Sequence, residues 1–142
     1  MKIENENREH CKAIALRLEA VAEGRMYKCP NCGEFVEDNV LFCDCGEQVD
    51  LIGDEENDVE PWENVSFWDY FEGGIYDIEY RVNAEREYKS VRIMVACGGP
   101  NIFIDTASRA VELYWWTDRA SYMIDADTCD IIDDYFEELF LC

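Results

Sequence analysis

Basic residues are scarce in this chain. Twelve Lys and Arg face 33 Asp and Glu, a formal charge of −21. A protein this anionic is not expected to grip nucleic acid by itself, because phosphate binding depends on neutralising Lys and Arg side chains. Histidine is almost absent. The single one, His10, falls on an N-terminal amphipathic stretch and reads as a solvated helix residue, which leaves acid–base catalysis without a partnered pair. No glycine-rich phosphate loop with a lysine is present. No run approaches 18 apolar residues, and the start MKIENENREH has no apolar signal core. The expectation is therefore a cytoplasmic protein without membrane attachment. Apolar residues are not lacking: 49% of the chain is hydrophobic and 13% aromatic, too much for an acidic disordered tail. A length of 142 residues suits one domain, or a modest domain with a small module attached.

Eight cysteines are many for such a chain, and their positions divide them. Cys11, Cys97, Cys129 and Cys142 are scattered singly. Cys29, Cys32, Cys43 and Cys45 cluster in YKCPNCGEFV and LFCDCGEQVD, which read as the two knuckles of a zinc ribbon. Four thiolates about 2.3 Å from a tetrahedral Zn2+ form a closed structural site. The Pro and Gly of Cys-Pro-Asn-Cys-Gly allow a tight turn that aims both sulfurs inward. Ten residues separate the hooks, enough for a short hairpin. The second hook, Cys-Asp-Cys-Gly, is one residue short, which is expected to strain it without removing a ligand. A redox disulfide at Cys29–Cys32 and a rubredoxin-like iron site are the alternatives. Catalytic zinc is disfavoured, because four cysteines leave no open position.

The fold class expected is α+β: an N-terminal helix and a four-cysteine zinc ribbon, then an antiparallel β-meander flanked by helices. Residues 1–25 form the helix, with Cys11, Ile14, Ala15, Leu18, Val21 and Ala22 at spacings of three and four and Gly24 placed to end it. Residues 26–52 are the ribbon. Residues 53–64, GDEENDVEPWEN, read as an acidic linker in which Pro61 blocks a helix. Residues 65–142 are an α+β domain. Ser66 caps a short helix that stops at Gly73-Gly74. Alternating strands follow around Ile78–Val82, Val91–Val95, Ile102–Ile104, Val111–Trp116 and Ser121–Ile124. Residues 127–140 form a last helix with Ile132, Tyr135, Phe136, Leu139 and Phe140 on one face.

Other motifs dissolve on inspection. Cys97 before Gly98-Gly99 could be drawn as a nucleophile in a tight turn, but a strand-end cysteine is expected to be core. Asp125-Ala126-Asp127 starts like a calcium loop, yet Asp130 stands where that loop requires glycine and Phe136 where it requires glutamate. Trp62, Trp68, Trp115 and Trp116 could anchor an interface, although core packing is the expectation for most of them.

The acidity is concentrated. From Cys29 to Tyr80 there is no Lys or Arg, while 16 acids accumulate. Solvated faces or adaptation to high salt would explain such a run; so would a basic partner. A chain of this length is roughly 40 Å across. Duplex DNA carries about 24 charges over that distance, the order of the −21 here. Two patches are candidates for partner binding: Asp54, Glu55, Glu56 and Asp58 in the linker, and Asp133, Asp134, Glu137 and Glu138 on the last helix. The helix is the stronger candidate, because its carboxylates are already ordered.

The stretches CGGPNIFIDTASRAVELYWW and IDDYFEELF, behind a CPNCG ribbon, resemble a small α+β domain that recurs in proteins of phages and mobile elements. The resemblance covers the ribbon and most of residues 66–140. Small acidic proteins of that kind include zinc-binding anti-CRISPR inhibitors of the type II CRISPR nuclease. It implies a non-enzymatic inhibitor, encoded by a phage or mobile element and acting in the bacterial host's cytoplasm. Its partner would be a basic nucleic-acid-binding protein, the type II CRISPR effector nuclease, whose DNA loading it blocks without touching nucleic acid. No catalytic residue is carried over. The rival expectation is a structural or adaptor zinc-ribbon protein that docks on a host complex such as the transcription machinery.

Overall fold

The computed structural model describes residues 2–141, with side chains from Glu6 onward. Met1 and Cys142, the last of the scattered cysteines, lie outside the described residues.

Helix α1 spans Lys2–Ala22. Cys11, Ala15, Leu18 and Val21 are its buried stripe. It ends at Gly24 with φ at +73°. There the Gly24 N–H donates to Val21 O and the Arg25 N–H to Ala20 O, the Schellman closure that a left-handed glycine permits. Strands β1 (Met26–Lys28), β2 (Phe35–Glu37) and β3 (Glu63–Asn64) then form a small antiparallel sheet in the order β2-β1-β3.

Helix α2 (Phe67–Phe71) follows. Its capping box is reciprocal: the Ser66 hydroxyl accepts from the Asp69 N–H, and the Asp69 carboxylate accepts from the Ser66 N–H. Strands β4 (Asp77–Val82), β5 (Tyr88–Ala96), β6 (Asn101–Asp105), β7 (Ala110–Trp115) and β8 (Asp118–Met123) form an antiparallel meander in chain order. Helix α3 (Ala126–Leu141) closes the described chain. The α+β class and the order of its elements are those expected from the sequence.

Alternation gives the large sheet two unlike faces. Val91, Ile93, Ile102, Ile104, Val111 and Leu113 point to one side and are buried, packed with the apolar faces of α1 and α3. The opposite face carries a polar network. Asp105, 2% exposed, accepts from Arg81 through both carboxylate oxygens at 2.8 Å and from Arg92 at 3.0 Å. Arg92 also donates to Glu112 at 3.0 Å. Burial alone would raise the Asp105 pKa, but the two guanidiniums and the Ser108 and Ala107 N–H groups hold it well below the usual carboxylate range.

The four-part division expected from the sequence does not describe this core. A single cluster joins Leu18 of residues 1–25, Met26 of 26–52, and Val65, Ile93 and Phe136 of 65–142. The physical reason is area. Helix α3 packs mainly over β5, so the apolar face of β7 and β8 would stand in water without α1. The 53–64 segment is also no free linker. Asp54 and Val59 exchange backbone hydrogen bonds at 2.7 and 2.8 Å. The Asp54 carboxylate gathers the Glu56 and Asn57 N–H groups and the Asn57 amide. Further on, β3 pairs with β1, and the Asn64 amide donates to Gly24 O and Met26 O.

Two smaller expectations are also corrected. Cys97 is exposed, because β5 ends at Ala96 and the thiol belongs to the turn. Of the four tryptophans only Trp62 is buried; Trp68, Trp115 and Trp116 are 62%, 37% and 90% exposed.

Candidate metal centre

The two cysteine hooks converge. All four Sγ atoms lie within 4.8 Å of one another, with Cys29 to Cys45 at 3.6 Å and Cys32 to Cys43 at 3.4 Å. Tetrahedral sulfurs about 2.3 Å from a shared ion would sit about 3.8 Å apart, so the donor set fits a metal ion. None of the four is in a disulfide.

Each hook follows a strand or bridge that fixes its first cysteine. In the first, Cys29 O accepts from the Gly33 N–H at 2.9 Å and the Cys29 N–H donates to Glu34 O at 2.8 Å. In the second, Cys43 O accepts from the Gly46 N–H at 2.9 Å and the Cys43 N–H donates to Glu47 O at 2.8 Å. The closures are the same, with each ring one residue shorter in the second. Gly33, at φ +79°, and Gly46, at φ +97°, both close their hooks in the left-handed region. Both knuckles thus turn on a left-handed glycine, a conformation other residues disfavour, and the missing residue of the second appears as tighter hydrogen-bonded rings.

Electrostatics within the cluster favour a cation. Hydrogen bonds, first among them from the Asn31 amide at 3.5 Å, pull the Cys45 thiol down to about 6. The Glu34 N–H acts the same way on Cys32, but burial and the thiols of Cys43, Cys45 and Cys29 outweigh it and push Cys32 up to about 12. Four thiols this close do not all ionise beside one another. A bound cation removes that conflict by displacing the protons.

A second, small apolar cluster supports the site. Cys29 and Cys43 are buried against Trp62, with Tyr27, Val36 and Val49 around them. Trp62 is held by its N–H to Asp50 O at 2.8 Å. Asn31 and Trp62 were not predicted as part of the centre. Asn31 was in view between the first two cysteines, whereas nothing local announced that Trp62 returns to cover them.

The predicted partner-binding residues fall into two separate places. Asp54, Glu55, Glu56 and Asp58 are exposed on the closed loop beside the ribbon. On α3, Asp134, Glu137 and Glu138 are exposed, but Asp133 is half-buried and accepts a hydrogen bond from Tyr88 at 2.6 Å. Asp133 is thus a tie between α3 and β5 and not a free rim charge.

Among the described residues no helix is long and apolar enough to cross a membrane. The class defined is an acidic α+β protein with a four-cysteine cluster whose geometry fits a metal ion. Neither the protein-family models, nor the curated proteins, nor the solved structures contain a match to the chain.

Proposed function

We propose that the protein is a non-enzymatic acidic inhibitor, stabilised by one structural Zn2+, that occupies the basic nucleic-acid groove of a nuclease and blocks DNA loading. The observation that carries this reading is the distribution of charge. Of the 16 acids between Cys29 and Tyr80, 13 are exposed, and no Lys or Arg interrupts them. An extended anionic surface of this kind complements a phosphate-binding groove and raises association rates by steering. Zinc is the ion expected of four thiolates in a tetrahedron, and a filled ligand set leaves no position for a substrate. The resemblance to anti-CRISPR proteins supports a type II CRISPR effector as the partner, within the bacterial cytoplasm.

The test is order of addition. Nuclease incubated with the protein before DNA should fail to bind DNA, while a pre-formed nuclease–DNA complex should resist. Equal inhibition in both orders, or none, would remove this reading.

One observation favours the adaptor alternative. The ribbon exposes Leu41 (76%), Phe42 (60%) and Ile52 (91%), apolar side chains that a purely electrostatic binder does not require. Substituting Leu41 and Phe42 with Ser would abolish docking in an adaptor and leave DNA competition intact in an inhibitor.

A further inference from the structure

Helices α2 and α3 leave a shallow cleft of about 280 Å3 between them. Trp68, Ile131 and Tyr135 line it together with Asp134 and Glu138. Trp68 is 62% and Ile131 41% exposed. The indole meets the Tyr135 ring at 72°, with centroids 6.5 Å apart, so it is steadied on one side while most of its surface remains in water. Neither helix contains a Lys or Arg; α3 alone carries six acids.

A large exposed indole beside two carboxylates has one chemical complement among protein side chains. A guanidinium is planar and weakly hydrated. It stacks on an aromatic face while its fork of N–H groups donates to carboxylate oxygens. Ile131 and Tyr135 provide apolar surface for the methylene stem. Lysine matches the charge but not the planar fork. Nucleic-acid bases could stack on Trp68, yet their phosphates would meet the acids of α3.

We propose that this cleft receives an arginine side chain of a basic partner protein, stacked on Trp68 and bonded to Asp134 and Glu138. The inference rests on the acidic-binder reading and names the anchoring point within it.

The test uses the full-length, zinc-loaded protein and three short synthetic peptides, identical except that the cationic positions carry arginine, lysine or citrulline. Affinity for every variant is read from the fluorescence anisotropy of labelled peptide, and in proteins that keep Trp68 the contact is located by its indole N–H resonance, assigned from a Trp68→Phe variant. The arginine peptide should shift it saturably. The lysine peptide should bind at least about threefold more weakly and the citrulline peptide not measurably, given what stacking and bidentate pairing add. Trp68→Gln, and Asp134→Asn with Glu138→Gln, should each weaken arginine-peptide binding by roughly fivefold or more. Glu55→Gln with Glu56→Gln on the distant loop should change it less than about twofold. Equal affinity for the arginine and lysine peptides, with no effect of Trp68→Gln, would overturn the arginine site while nuclease inhibition persisted. Loss of order-dependent inhibition in the wild-type protein would instead overturn the acidic-binder reading.

Discussion

The Tyr88 hydroxyl donates a 2.6 Å hydrogen bond to Asp133, joining β5 to α3 across the core. Burial first, then the neighbouring carboxylate, push the phenol well above its ordinary pKa, so it remains a donor at every physiological pH. Tyr88→Phe should cost about 1 kcal/mol in urea denaturation. Converting Asp134, Glu137 and Glu138 to Lys should leave stability within about 0.5 kcal/mol, because exposed charges contribute little. That triple variant should nonetheless lose nuclease inhibition. Unchanged inhibition would return the acidity of α3 to solubility.

Asp105 makes stability depend on pH. Its pKa is depressed in the folded state, so its contribution is present above the unfolded value near 4 and is lost as pH falls through and below it. Asp105→Asn should cost roughly 2 kcal/mol at neutral pH and flatten the acid limb of the stability curve. An unaltered slope between about pH 5 and 2 would show that other carboxylates dominate acid unfolding.

The purified protein should hold one zinc per chain at Cys29, Cys32, Cys43 and Cys45. Cys32→Ser should destabilise the ribbon, since metal binding supplies much of its folding energy. Chelation should shift Trp62 emission and leave the α1-covered sheet folded. Full occupancy after loss of both Cys43 and Cys45 would refute the assignment.

A fragment beginning at residue 65 should fail to fold on its own. It lacks Cys11, Ala15, Leu18 and Met26, all at or below 1% exposure in the shared core. Circular dichroism of the fragment, alone and with a 1–25 peptide, checks this. Cooperative unfolding of the fragment alone would contradict it.

Trp116 turns the β7–β8 hairpin with φ at +57° while 90% exposed. A bulky residue in the left-handed region loses energy and here recovers little by packing. Trp116→Gly should therefore raise stability by roughly 0.5–1 kcal/mol. A lower melting temperature would mean that the indole packs against the neighbouring turn in solution.

Periodicity made most elements of this protein legible without coordinates. Strict alternation marked Ile78–Val82 and Val91–Val95, and three-and-four spacing marked the stripe from Cys11 to Val21. Capping residues and glycines placed the ends at Ser66 and Gly24. The spacing of the four cysteines, in two short hooks with turn-forming Gly, marked them as a candidate metal site, and the structure brings their sulfurs together. These are local properties, set by side-chain direction and backbone torsion. What tertiary structure decided was everything that depends on area and return. α1 joined the core of residues 65–141 because the sheet's apolar face was wider than α3. Trp62 and β3 came back onto the ribbon from a stretch that looked like a linker, because the apolar sides of Cys29 and Cys43 needed covering. Asp133 left the surface patch to meet Tyr88, 45 residues away. Pairings over such separations leave no periodic trace, because they are fixed by which surfaces meet and not by the residues beside them.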